Sequence, residues 1–270
     1  GPGALHGRGR AHRLRGLSRP RVKLLTVIGR LLRGFWHIGV GWWTIQLHFP
    51  RWSAEQREAR VQVWAAQLLA LWGIRLVVRG QPPLGGPVLL VANHLSWLDI
   101  VVMHAARHCR FVSKADVQRW PVVGRLATGA GTLYLQRERR RDAMRVVRLM
   151  QAALEAGDVL AVFPEGTTGD GRDVLPFHAN LIQAAVATDA PVQPVALDFF
   201  ESGSERPARG PSYIGDETLI GSVWRTLSGP SIDAVVVFGD PQRGEGRDRR
   251  AWARDLRDDI QALRARGSER

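Results

Sequence analysis

The feature that most constrains this chain is a pair of short, unbroken apolar runs, Val88–Val91 and Val159–Phe163, each set among stretches of helical period. Runs this short cannot sustain a helix, and the absence of polar alternation means that neither face meets water. Strands buried on both faces belong to a mainly parallel sheet with helices above and below it. The neighbouring segments supply those helices. Val61, Trp64, Ala65, Leu68, Leu71 and Trp72 share one face of Gln56–Trp72, and Gly157 closes a second helix at Arg140–Ala156. Strands are expected at Ile74–Val78, Val88–Val91, Arg110–Ser113, Leu133–Leu135, Val159–Phe163, Val192–Leu197 and Ala234–Phe238. Further helices are expected at Ile100–Ala106, Val122–Leu126, Asn180–Thr188 and Thr218–Leu227. The fold class is therefore α/β, a mainly parallel mixed sheet covered by helices on both faces.

Four segments follow from composition. Residues 1–21 are rich in Arg and Gly and read as a basic, disordered arm. Residues 22–54 are apolar but interrupted by Lys23, Arg30 and Arg33. The uncharged run Gly34–Pro50 is short of the roughly 20 apolar residues that a spanning helix needs. Trp36, Trp42, Trp43 and Trp52 fall in this segment, and indole favours the membrane interface, so a helix or helix pair lying in that interface is expected. Residues 55–240 form the α/β domain. Residues 241–270 form a charged C-terminal helix, with Trp252, Leu256, Ile260 and Leu263 as an apolar stripe and Arg254–Asp258 as an outward ion pair.

Charge narrows the partners. Lys and Arg total 38 against 25 Asp and Glu, a formal +13, which calls for an anionic partner such as a membrane surface, an acidic substrate or nucleic acid. Nucleic acid is set aside because no helix-turn-helix, zinc-finger or RNA-recognition pattern appears. The single cysteine, Cys109, excludes an internal disulfide. His104 and His108 have helical ligand spacing but lack an acidic residue between them and a second ligand pair, so no metal is expected. The glycines of Gly166–Gly171 lack the Lys-Ser/Thr of a nucleotide loop, and no G-x-S-x-G elbow is present.

The chemistry concentrates at strand ends. Val88–Val91 runs directly into Asn93-His94-Leu95-Ser96-Trp97-Leu98-Asp99. Polar groups beyond the carboxyl end of a parallel strand lie where α/β sheets place their sites. Ser96 is a candidate N-cap, which would put Asp99 in the first turn of the next helix and let its carboxylate fold back onto the His94 ring. An imidazole with one nitrogen held by a carboxylate can take a proton from a hydroxyl. The same residues also suit a plain capping box.

Asn93-His94-x-x-x-x-Asp99 resembles the signature of the glycerolipid (lysophospholipid) acyltransferase family. Three later blocks resemble that family in the same order: Gly131-Thr132-Leu133-Tyr134-Leu135-Gln136-Arg137, Phe163-Pro164-Glu165-Gly166-Thr167 and Val192-Gln193-Pro194-Val195-Ala196. The resemblance implies catalytic roles for His94 as general base and Asp99 as its partner. It implies substrate-binding roles for Asn93, Lys114, Arg137, Glu165, Gly166, Thr167 and Pro194, with backbone N–H groups near Gly166 as oxyanion donors. It implies no cofactor. The co-substrate is acyl-CoA or acyl-carrier protein, the acceptor is a lysolipid, and the place is the cytoplasmic face of the cell membrane, held peripherally or monotopically. The acceptor expected first is 1-acyl-sn-glycerol-3-phosphate, giving phosphatidate. Thr168 stands where the third block commonly continues with Arg, and Phe177-His178-Ala179-Asn180 replaces a lysine-bearing stretch. These departures resemble the lyso-ornithine lipid O-acyltransferase subgroup.

Overall fold

The computed structural model describes residues 19–135 and 140–268. The expectation for the arm at residues 1–18 therefore lies outside the described residues. Among the described residues, seven strands form one sheet: β1 (Ile74–Arg79), β2 (Val88–Ala92), β3 (Arg110–Lys114), β4 (Leu133–Leu135), β5 (Val159–Val162), β6 (Val192–Glu201) and β7 (Ile232–Phe238). Their order is β1-β7-β6-β2-β5-β3-β4. Every neighbouring pair is parallel except β6 with β7. Every residue of β2, β5 and β7 is buried, which is why β2 and β5 read as unbroken apolar runs. The edge strand β1 shows the mixed burial of a strand with less cover.

Helices cover both faces. One layer holds α2 (Ala54–Leu71), α3 (Leu98–Ala106) and α8 (Leu219–Ser228), packed with α1 (Arg19–Leu47) over Val88, Leu90, Ala161 and Val236. The other holds α6 (Arg140–Glu155), α7 (Gln183–Thr188) and α9 (Arg249–Ser268), over Leu89, Val91, Leu160 and Val162. The short helices α4 (Ala115–Gln118) and α5 (Val123–Gly129) join β3 to β4.

The two ends of the chain differ from expectation. Residues 22–54 hold one 29-residue helix that begins at Arg19, inside the stretch expected to be an arm. Gly34 and Gly41 do not break it. A Cβ at Gly34 would collide with the Trp72 indole nitrogen, and one at Gly41 with that of Trp64. Glycine there lets α1 lie directly on the rings of α2. The helix stops before a 3-10 turn at Phe49–Arg51, and a Ser53/Gln56 capping box starts α2. No helix among the described residues is long and apolar enough to cross a membrane. The apolar stripe expected on the C-terminal helix, Trp252, Leu256, Ile260 and Leu263, is buried. Trp252 is fully buried, and α9 closes the second core over β6 and β7. Its Asp258 lies 3.7 Å from Arg257, so the expected Arg254–Asp258 pair gives way to a neighbour.

Candidate active site

β2, β5 and β3 are parallel neighbours, so their carboxyl ends meet at one edge of the sheet. His94, Glu165 and Lys114 all leave from that edge. α3 starts at Leu98 with Trp97, not Ser96, at the N-cap, and Trp97 makes no side-chain capping bond. The Ser96 hydroxyl instead donates to Pro211 O at 2.5 Å and accepts from Leu98 N–H at 3.2 Å. Asp99 therefore lies in the first turn and folds back. Its Oδ2 accepts from His94 Nδ1 at 2.8 Å, from Leu95 N–H at 2.6 Å and from Ser96 N–H at 2.9 Å. The capping geometry and the His–Asp pair are thus made by the same oxygen.

Asp99 is fully buried, whereas the His94 side chain keeps 20% of its surface exposed. With Nδ1–H donating to the carboxylate, Nε2 is left as the acceptor nitrogen of the ring. Phe163 stacks on the imidazole with centroids 4.1 Å apart and planes within 10°. The ring is therefore held by a carboxylate at its edge and an aromatic face beside it. Among the described residues Asp99 Oδ1, which is buried, has no hydrogen-bond partner, so the acid is tied to them through Oδ2.

Several residues expected to touch substrate serve the frame instead. Asn93 is 1% exposed. Its amide donates to Leu197 O at 2.9 Å and accepts from Leu197 N–H at 2.8 Å, clamping the end of β2 to β6. Glu165 is likewise buried. One oxygen accepts from His94 N–H at 2.7 Å and the other from Leu175 N–H at 2.8 Å. Burial raises the Glu165 pKa, against the pull of those two backbone donors. Both side chains position the backbone that carries His94. In the sequence alone a buried polar residue and a substrate ligand look the same.

Gly166 adopts φ +73° and donates its N–H to Phe163 O at 3.1 Å, closing a tight turn. Its own N–H is therefore not the oxyanion donor. Among the described residues, the N–H groups of exposed Thr167 and half-buried Thr168 make no hydrogen bond. Thr168, the position of a common family arginine, donates its hydroxyl to Tyr213 O. Lys114 is exposed at the end of β3. Arg137 lies outside the described residues. Pro194 is buried in the interior strand β6, level with Val91, below the edge where His94 emerges. Gly239 N–H donates to Pro194 O at 2.8 Å, and the Gly239 carbonyl, which a proline nitrogen cannot serve, accepts from the Gln193 amide at 2.8 Å.

Two groups missed from the sequence complete the frame. Asp198 and Arg264, 66 residues apart, pair at 2.7 Å with side chains only 15% and 10% exposed. Arg264 also donates to Gly171 O at 2.6 Å. On the same helix Arg257 donates to Val174 O at 2.8 Å, and Gln261 accepts from Val174 N–H at 3.0 Å. Gly169 N–H donates to His94 O at 2.8 Å. The loop after the third block is therefore bonded to His94 on one side and to α9 on the other. Burial pushes the Asp198 pKa up, partly offset by Arg264. A charged residue directly after the apolar run Val192–Leu197 was the one visible signal for Asp198, and nothing local marked Arg264.

His104 and His108 do not share a helix turn, because α3 ends at Ala106. They stack at 5.4 Å, and buried His104 Nδ1 has no hydrogen-bond partner among the described residues. Burial lowers His104 to about 3. It lowers His108 to about 4 against the Ala130 carbonyl, with Arg107 and Arg110 adding to the effect. Glu58 lies 3.9 Å from His108 Nδ1. The unfolded rings titrate near 6.5, so below that pH the unfolded chain binds more protons. Stability is therefore full above pH 6.5 and falls as pH drops toward 4, by roughly 2 kcal/mol per ring at pH 5. Urea midpoints at pH 7 and pH 5 check this. The His104→Leu/His108→Leu variant is expected to lose most of the difference, and an unchanged pH slope would remove the histidines from the account.

Comparison with known proteins adds the following. Residues 74–198 match the family described as Acyltransferase. A lyso-ornithine lipid O-acyltransferase of Pseudomonas aeruginosa is 34% identical over 238 residues, covering 87% of this chain and 90% of that protein. A 1-acyl-sn-glycerol-3-phosphate acyltransferase of Neisseria meningitidis is 35% identical over 211 residues, covering 77% and 82%. The crystal structure of the 1-acyl-sn-glycerophosphate acyltransferase of Thermotoga maritima superposes with a TM-score of 0.64 at 19% identity, covering 92% of this chain and 98% of that one. The last of these bears on the fold alone.

Proposed function

The chain belongs to the acyltransferase family that its relatives represent, and from that premise we propose that His94 and Asp99 transfer a fatty acyl group from a thioester to the free hydroxyl of a lysolipid. The observation that carries this reading is the 2.8 Å bond from a partly open imidazole to a fully buried carboxylate at the carboxyl edge of the sheet. His94 Nε2 removes the hydroxyl proton as the acceptor oxygen attacks the thioester carbonyl. The carbonyl oxygen gains negative charge and is met by the N–H groups of Thr167 and Thr168. The C–S bond then breaks, and the departing sulfur takes the proton from His94. Asp99 holds the tautomer and stabilises the transient imidazolium. No cofactor enters these steps, and the donor is acyl-CoA or acyl-carrier protein.

The reading of a membrane-docked enzyme is supported by α1. Its inner face packs Val27, Leu31 and Ile38 on the protein. Its outer face presents Leu25, Leu32, Phe35, Trp36, Trp43 and Leu47, each more than half exposed. A helix with one face on protein and the other apolar and open lies in the plane of a bilayer surface, and the +13 charge favours the anionic cytoplasmic leaflet.

The acceptor we propose first is 1-acyl-sn-glycerol-3-phosphate, with Lys114 and Arg137 as the cations for its phosphate. A second reading, a lyso-ornithine lipid, is favoured by Thr168, whose hydroxyl is turned onto Tyr213 O where many relatives supply a guanidinium. Purified enzyme on anionic vesicles, given one acyl thioester and either acceptor, separates the two. Turnover of lysophosphatidate that drops on Arg137→Ala is the expected result. Turnover of the lyso-ornithine lipid alone would replace the first reading with the second.

A further inference from the structure

Acyl-transfer chemistry leaves unassigned an open groove of about 610 Å³ between residues 176–180 and α9. Phe177, His178, Arg249, Arg250, Arg254 and Arg257 line it. Arg250, Arg254 and Arg257 recur at i, i+4 and i+7, so they form a row along one side of α9, about 10 Å long at 1.5 Å per residue. Two of the groove's cations are partly engaged. Arg249 donates to Gln183 at 3.1 Å, and Arg257 donates to Val174 O and lies 3.7 Å from Asp258. Arg250 and Arg254 are exposed and make no side-chain hydrogen bond or ion pair among the described residues. The acid nearest them in effect is Asp248, whose carboxylate caps α9 by accepting from Arg250 N–H and Ala251 N–H. Asp255 and Asp259 are engaged elsewhere, with Arg247 and Gln242. The row therefore keeps a cationic excess that the fold does not neutralise.

Its position narrows the partner. α1 packs in the layer of α2, α3 and α8, whereas α9 covers the opposite face of the sheet. A ligand at the arginine row therefore arrives from water rather than from the bilayer that α1 faces. The groove also adjoins the site. Pro176 follows Leu175, whose N–H holds Glu165, and His178 N–H donates to Pro164 O at 2.8 Å. We propose that this groove docks the soluble carrier of the acyl donor, an acidic acyl-carrier protein whose carboxylate-bearing helix lies along Arg250, Arg254 and Arg257. This rests on the reading of the chain as a thioester-dependent acyltransferase. A row spanning two helical turns matches carboxylates repeating at the same helical spacing and exceeds what a single phosphate engages.

The test is the charge reversal Arg250→Glu/Arg254→Glu in the full chain on vesicles. An acyl-carrier protein is titrated against both proteins at low and high salt, and transfer is measured from acyl-carrier protein, acyl-CoA and acyl-pantetheine. The expected result is salt-sensitive binding to the wild type that weakens about ten-fold or more in the variant. The KM for acyl-carrier protein, relative to that for acyl-pantetheine, should rise by about the same factor. Equal binding of the carrier protein by both chains overturns the proposal. So does a penalty confined to acyl-CoA, which would assign the row to the phosphates of the nucleotide carrier. If the wild type transfers from none of the three thioesters, the acyltransferase reading falls, while the binding titration still decides the groove.

Discussion

A His94→Ala protein is expected to fold, to bind vesicles and to lose turnover by roughly 100- to 10,000-fold, the span that a positioned general base supplies. The fold survives because His94 sits in a loop beyond β2, and among the described residues its side chain makes one hydrogen bond, to Asp99. Asp99→Asn is expected to reach a comparable loss by another route. The amide offers one acceptor oxygen where the carboxylate Oδ2 now takes three N–H groups, and it permits the wrong imidazole tautomer. That variant should also be less stable, by about 1–3 kcal/mol, as a buried donor loses its acceptor. Single-turnover kinetics with circular dichroism on the same preparations make the distinction. Transfer near the wild-type rate by a folded His94→Ala protein ends the mechanism proposed here.

The second large effect is thermodynamic. Arg264→Met is expected to destabilise the chain by about 3–5 kcal/mol, because Asp198 is left buried without its counter-charge. Asp99 stands close enough to raise the Asp198 pKa further. At this size the loss lowers the melting temperature by about 2–4 °C per kcal/mol. Activity is expected to fall as well, because the Gly171 carbonyl loses the guanidinium that holds the loop bonded to His94. The double variant Asp198→Leu/Arg264→Met is the informative control. Replacing both charges restores most of the stability, since a buried pair contributes little net energy beyond its own desolvation. It does not restore the bond to Gly171. Recovery of stability without recovery of kcat would identify Arg264 as a positioning residue. Recovery of both would reduce it to a structural pair.

Most of the layers were legible in advance, and the reasons are local. β2 and β5 are apolar throughout because both faces are covered, and α6 shows its period because one face is wet. The His94–Asp99 pair was legible for the same reason: five residues and one turn contain all of it. Asn93 and Glu165 were visible as residues but not as roles. Their partners lie 104 residues away at Leu197, and 71 and 10 residues away at His94 and Leu175. α1 begins at Arg19, earlier than expected, and Lys23, Arg30 and Arg33, read as interruptions, lie within one helix whose Gly34 and Gly41 rest on Trp72 and Trp64.

By itself, then, the amino-acid order determined the strands, the helices and the short stretch that folds an acid back onto an imidazole, because those depend on covering apolar surface and on bonds within one turn. Only the tertiary structure decided which charges meet. It placed Arg264 of the last helix on Asp198 of an interior strand and left Arg250 and Arg254 facing water, although all three are arginines of one amphipathic helix. The difference is physical. A hydrophobic residue is stabilised by any apolar cover, whereas a buried ion requires one partner at one distance, and that is set by strand order and packing.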